Sequence, residues 1–147
     1  MAKNAFRCKL VTPDAQVLDN SVTQVILPAW DGKLGVLPGR APMVMELGTG
    51  ELRVDFPDDG QARGGSRYFF IDSGFVQMVN DELTILAAYA APADKLSESE
   101  AQAEVNSLSA RRTEGLSEAD RKILAKDKAR AEGKLRAARA FKAAGAY

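Results

Sequence analysis

The segment Asp31-Gly32-Lys33-Leu34-Gly35-Val36-Leu37-Pro38-Gly39-Arg40-Ala41-Pro42 is where residue types and spacing most invite chemistry. Glycines around a lysine suggest a loop that cradles phosphate. A Walker A loop, however, needs Gly-Lys-Ser/Thr after four spacers, and none is present. Gly48-x-Gly50 fares no better as a dinucleotide fingerprint, because Arg53 stands where a third glycine is needed and no helix signal follows. The plainer reading is a pair of tight turns flanking a short strand, with glycines supplying positive φ.

Other candidates are few. Cys8 alternates with apolar neighbours and reads as a small core residue rather than a reactive thiol. Trp30 precedes Asp31-Gly32 in a loop, which suits a rim or a partly buried position equally. Asp58 and Asp59 are turn residues, and two carboxylates without further oxygen ligands make no calcium loop. The chain has no histidine, which excludes Ser-His-Asp and Cys-His systems, histidine metal ligands and an imidazole shuttle. One cysteine excludes an internal disulfide and any Cys-x-x-Cys site. No nucleophile, base and oxyanion donor can be assembled, so binding rather than catalysis is expected, with no cofactor and no metal.

The one concentrated charge feature is Arg121, Lys122, Lys126, Lys128, Arg130, Lys134, Arg136, Arg139 and Lys142. It reads as a solvated face, a nucleic-acid stripe or a hook for an acidic partner. Nucleic acid is disfavoured, since no aromatic residues interleave with the charges and the whole chain is neutral, with 20 basic and 20 acidic residues.

That neutrality hides an asymmetry. Residues 1–100 carry 9 Lys/Arg against 14 Asp/Glu, and residues 101–147 carry 11 against 6. Texture changes at the same place, from β-like runs punctuated by Gly, Pro, Asn and Asp to Ala, Glu, Lys, Arg and Leu. The boundary falls at 91–96, around Pro92 and Asp94, and gives domains of 1–91 and 92–147. No apolar run approaches the ~18 residues that would span a bilayer. Met1 through Phe6 lack a signal peptide's apolar stretch, so a soluble, non-exported chain is expected.

Phe6, Cys8 and Leu10 alternate with Arg7 and Lys9, the period of a half-buried strand. Similar runs lie at 22–27, 52–56, 68–71, 75–79 and 83–88, with shorter ones near Val17 and at 43–47. Pro57-Asp58-Asp59-Gly60 and Gly64-Gly65 mark a loop, and Asn80-Asp81-Glu82 closes a hairpin. The expected fold is segregated α+β: an antiparallel β-sandwich of about ten strands, then an antiparallel two-helix hairpin. Ser97-x-x-Glu100 and Ser117-x-x-Asp120 open the helices as capping boxes, and Gly115 fits the turn. The first helix shows a narrow stripe of Ala101, Val105 and Leu108. The second, from Ser117 to about Ala144, shows Leu124, Ala131, Leu135 and Ala138, helped by i,i+4 pairs such as Glu132–Arg136. So thin a stripe predicts weak docking, and hence a movable element or a frayed tail.

In this order the features resemble the epsilon subunit of bacterial and chloroplast F-type ATP synthases, called delta in mitochondria. Leu10-Val11-Thr12-Pro13 is similar to the family's first strand. Gly32 to Gly39 matches its Gly-x-Leu-Gly-x-x-Pro-Gly signature, which Ala41-Pro42 continues. Residues 70–76 and 83–87 are similar to the strands that close its sandwich. The resemblance implies a non-catalytic rotor subunit of a proton-translocating synthase. Its sandwich would bind the gamma subunit and the c-ring, with Thr12, Asp31, Gly32, Lys33 and Arg40 on the ring-contact loops. It further implies a hairpin that folds against the sandwich or extends to brake hydrolysis, its basic helix meeting an acidic stretch of the catalytic subunit. The implied location is peripheral, on the cytoplasmic side of a bacterial inner membrane or the stromal side of a thylakoid.

Two departures bear on function. Arg40 stands where the family usually has histidine, so a pH-dependent contact there is lost. Some members bind ATP through Leu/Ile-Asp-x-x-Arg-Ala, which here is Leu96-Ser97-Glu98-Ser99-Glu100-Ala101, with charge inverted where a nucleotide's anions would gather. Tight ATP binding is therefore not expected. The alternative is a free-standing regulatory module whose basic hairpin engages an acidic protein or nucleic acid.

Overall fold

The computed structural model describes residues 4–29, 31–58 and 64–143. Seven strands come first: β1 (Phe6–Val11), β2 (Gln16–Val22), β3 (Gln24–Ala29), β4 (Gly32–Val36), β5 (Met43–Phe56), β6 (Gly65–Val79) and β7 (Glu82–Pro92). They form one sheet in the order β2-β1-β7-β6-β5-β3-β4. One buried apolar cluster draws on all seven, including Leu18 and Val22 of β2 and Val36 of β4. Strands at the two ends of the order share a core only if the sheet folds over on itself, which is the sandwich.

The fold-over is written in side-chain parity. In β5 the inward residues are Leu47, then Leu52 and Val54; in β6 they are Phe69 and Ile71, then Val76 and Met78. Alternation has period two, so a switch from odd to even inward positions requires an irregularity in between. In β6 it is Ser73-Gly74, where φ is 52° and 130°; in β5 it falls between Leu47 and Leu52, around Gly50. Each bent strand therefore serves both layers. This is why seven long strands are found among the described residues where the sequence suggested about ten: the runs 43–47 and 52–56 are one strand, and so are 68–71 and 75–79. The run at 22–27 divides instead, Val22 closing β2 and Gln24 opening β3, with Thr23 N–H donating to Asp55 O at 2.8 Å.

The expectation of an antiparallel sheet holds for every pairing but one. β1 and β7 run parallel, Arg7 opposite Glu82 through Val11 opposite Leu86. No hairpin joins these two strands, so turn geometry leaves their relative direction free. Trp30 and the Asp59-Gly60 part of the predicted loop lie outside the described residues.

A single 3-10 turn (Ala93–Lys95) leads to α1 (Glu98–Ser109) and α2 (Glu118–Ala143); residue 144 lies outside the described residues. Both serine caps form, Glu100 N–H donating to Ser97 Oγ at 3.2 Å and Asp120 N–H to Ser117 Oγ at 3.1 Å. Gly115 takes φ 79° in the turn. The predicted stripes meet: Leu108, Leu124 and Ala131 form a small core between the helices, with Val105 and Leu116 against it. Glu132 and Arg136, in contrast, do not close an ion pair among the described residues.

A second face of α2 rests on the sheet. Ala137 packs with Phe70 and Ala93, joined by Tyr68, Leu96 and Phe141. Adjacent Phe69 and Phe70 thus divide, one into the sandwich core and one beneath the helix, and both are fully buried. An apolar run on both faces of β6 is explained by cover on both sides.

Candidate partner-binding surfaces

The ring-contact residues suggested by resemblance fall at three turns. Thr12 follows β1 directly, and its hydroxyl is spent locally, accepting from Ala15 N–H at 3.3 Å and donating to Ala15 O at 3.2 Å. Asp31 lies in the β3–β4 turn, Gly32 and Lys33 open β4, and all three are exposed. Their position follows the ladder: Gly32 pairs with Ala29, Ala29 with Leu47, Leu47 with Gly74, and Gly74 with Ala87. Leu86, next along β7, pairs with Val11. Both turns therefore lie near the line along which the sheet bends.

Arg40 lies elsewhere. Gly39 N–H donates to Asp81 Oδ1 at 2.8 Å, and Asp81 O accepts from Arg7 N–H at 3.0 Å, which places this loop at the start of β1. Thr12 is five residues further along that strand, roughly 16 Å away at 3.3 Å per residue. A surface touching both Thr12 and Arg40 must span that distance. Arg40 is exposed, and its Nε donates to Met43 Sδ at 3.1 Å.

A feature the sequence reading missed is the outer face of the layer built from β1, β7 and the ends of β5 and β6. Val44, Phe75 and Leu86 are 71%, 58% and 51% exposed, more than half in each case, although all three are large and apolar. Phe75 sits opposite Leu86, and Leu86 beside Val11. Two ion pairs lie on the same face. Arg7 grips Asp19 through two 2.8 Å bonds, and Lys9 Nζ is 2.9 Å from Glu82. Their hydrogen bonds hold the Asp19 and Glu82 carboxyls below their ordinary pKa values. An apolar centre with a charged rim is how protein interfaces are built. Leu86 and Phe75, each adjacent to an inward apolar residue and so breaking the alternation, were the available signal.

The basic series of α2 does not form one surface. Arg130 lies over the Tyr89 ring at 5.1 Å, with Nε 3.5 Å from Asp72 Oδ2, an ion pair too poorly aligned to satisfy that buried nitrogen as a hydrogen bond. Lys134 Nζ is 5.8 Å from the centre of the Phe70 ring. Arg139 donates to Gln102 Oε1 at 2.7 Å and to Glu98 Oε1 at 3.4 Å, and Lys142 reaches the other Glu98 oxygen at 3.5 Å. Arg121, Lys122, Lys126, Lys128 and Arg136 have no ion-pair partner among the described residues. The docked hairpin thus occupies four cations and leaves five free.

The remaining candidates are structural. Cys8 is fully buried, and desolvation pushes its thiol up to about 12, so it stays protonated and inert. Arg53 pairs with Asp55 at 2.9 Å. In the segment aligned with the nucleotide motif, Ser97 caps α1 and Glu98 binds α2 cations. Among the described residues no group of three or more His, Cys, Asp or Glu side chains could hold a metal ion, and no helix is long and apolar enough to cross a membrane.

Comparison with known proteins decides which family builds these surfaces. The family model for the ATP synthase delta/epsilon chain, beta-sandwich domain, matches residues 5–93. The chain belongs to this family. It is 41% identical to an ATP synthase epsilon chain from Rhodopirellula baltica over 97 residues, covering 66% of this chain and 71% of that one. A second epsilon chain, from Synechococcus elongatus, is 34% identical over 136 residues, 92% of this chain and 87% of the relative. That alignment extends through the hairpin. The fold also matches a chain in the Euglena gracilis mitochondrial ATP synthase, with a TM-score of 0.68 at 21% identity over 93% of this chain and 79% of that one. As an epsilon-family member the chain is a non-catalytic component of an ATP synthase.

Proposed function

We propose that this chain is a central-stalk subunit of a proton-translocating synthase, tying the gamma subunit to the c-ring, and that its hairpin brakes ATP hydrolysis when it leaves the sandwich. The observation that carries the reading is the exposed Val44–Phe75–Leu86 surface, unusual in a chain whose other large apolar residues are mostly buried. We assign that surface to gamma. The turns at Thr12 and Asp31–Lys33, together with Arg40, are assigned to the ring. Residues 1–91 form the binding domain in this reading and residues 92–147 the regulatory one. In this reading the chain lies at the cytoplasmic face of a bacterial membrane, or the stromal face of a thylakoid, held there by its partners.

The free cations of α2 suit an acidic stretch of the catalytic hexamer. Steady-state hydrolysis by the cognate hexamer–gamma complex tests this, with full-length chain and with a version ending at Ala91. Both versions are expected to bind, and only the full chain to slow hydrolysis. Equal rates would refute the brake, and failure of both versions to bind gamma would refute the stalk assignment.

A further inference from the structure

Gly133 lies in the middle of a 26-residue helix of strong helix formers, where glycine is destabilising relative to alanine. It is buried at the point where α2 comes closest to the sheet. A Cβ at this position would stand 2.9 Å from Phe70 Cε1 and 3.0 Å from Gly50 Cα. The second of these atoms is backbone and cannot swing away. Only glycine lets the helix sit this close to β5.

The neighbouring contacts sit one turn to either side. Arg130 covers Tyr89 and faces Asp72, whose other oxygen accepts from Thr49 Oγ1 at 2.8 Å. Ala137, one turn on, packs fully buried against Phe70. Among the described residues, Phe141 is the one large apolar side chain of the helix in the cluster around Phe70, so attachment there depends more on close approach and on cations over rings than on apolar bulk. An apolar plug would hold the helix regardless of salt; this contact is sensitive to one methyl group and to charge.

We propose that Gly133 on Gly50, with Arg130 on Asp72 and Tyr89, is a latch that selects the docked hairpin over a released one. The glycine costs helix propensity in docked and released helices alike, so its contribution to docking is the fit against Phe70 and Gly50. Substitution by alanine removes that fit. The latch also engages Arg130 and Lys134 with the sheet, so an acidic partner must compete with Tyr89, Asp72 and Phe70 for them. That last consequence rests on the function proposed above, whereas the latch itself does not.

The isolated full-length chain is sufficient for the test. Spin labels at Gln77→Cys and Ser107→Cys, both exposed positions, report the distance from sheet to hairpin, while buried Cys8 stays unlabelled. The latched chain is expected to give one narrow distance. Gly133→Ala is expected to raise the ratio of released to docked molecules about tenfold or more, seen as a longer, broader component. Ala129→Gly, at an exposed site on the same helix, weakens the helix without touching the sheet and is expected to keep the docked distance. Asp72→Asn should release the hairpin partially, and 1 M salt should do the same.

An unchanged narrow distance in Gly133→Ala, with circular dichroism confirming a folded chain, would overturn the latch. So would release by Ala129→Gly to the same extent, because helix strength rather than fit would then govern docking. The hydrolysis assay separates the two readings. If Gly133→Ala opens the distance yet slows hydrolysis no more than the unaltered chain, the latch stands and the brake fails.

Discussion

Gly74→Ala tests the bend that makes the sandwich. Gly74 has φ 130°, a region open essentially to glycine, and its neighbour Ser73 is at 52°. A Cβ there would stand 1.9 Å from Leu86 O and 3.0 Å from Ala87 Cα, both backbone of the next strand. Relief requires β6 and β7 to part by more than 1 Å, roughly a quarter of the 4.7–4.9 Å between paired strands. The backbone conformation costs about 1–3 kcal/mol and the residual overpacking about 1–3 kcal/mol. Each rung lost beside Gly74 and Ala87 adds roughly 1 kcal/mol. With one rung lost the central values sum to about 5 kcal/mol, set against a stability of roughly 5–13 kcal/mol for a sheet domain of this size. At about 4–8 °C per kcal/mol, the melting temperature should fall by roughly 20–40 °C. Thermal melts by circular dichroism measure it, and labelling of buried Cys8 at pH 8 reports opening of the core independently. Gly65→Ala is the control, since a Cβ there meets nothing within 4 Å, and it should be neutral to about 0.5 kcal/mol. A Gly74→Ala chain melting within about 5 °C of the parent would refute the argument that this bend requires glycine.

Three further outcomes are expected. Phe75→Glu, at a position 58% exposed, should leave the melt of the isolated chain nearly unchanged but weaken binding to gamma at least tenfold; calorimetric titration showing equal affinity would place gamma elsewhere. Stability should be flat from about pH 6 to 8, where an ordinary histidine would titrate and this chain has none. The Arg7–Asp19 and Lys9–Glu82 pairs hold their carboxyls below the ordinary values, so they stabilise the fold above the unfolded carboxylate pKa. That contribution is lost as pH falls through the lowered folded values, and melts between pH 2 and 8 should show the decline beginning near pH 4. Equilibrium titration of ATP should show no micromolar binding, because Glu98 and Glu100 put negative charge where a nucleotide's phosphates would lie; tight, magnesium-independent binding would contradict this.

Much was legible before any coordinates. Period-two runs placed the strands, serine caps and Gly115 placed the hairpin, and the missing histidine removed whole classes of chemistry. These are local properties, carried by spacing and by the conformational range of individual residues. Strand continuity was not legible, since a bent strand whose inward parity changes at Gly74 reads as two strands in a linear chain. The parallel pairing of β1 with β7 was hidden too, because it joins residues at the two ends of the domain with no turn to announce it. The basic residues of α2 looked like one property of one helix. Only tertiary contact decided that Arg130 and Lys134 lie over aromatic rings, that Arg139 and Lys142 answer Glu98, and that the rest face solvent. Gly133 marks the limit most clearly. In sequence it is a weak point in a helix, and its reason appears only when Gly50, distant in the chain, is brought within 3.0 Å of where its side chain would be.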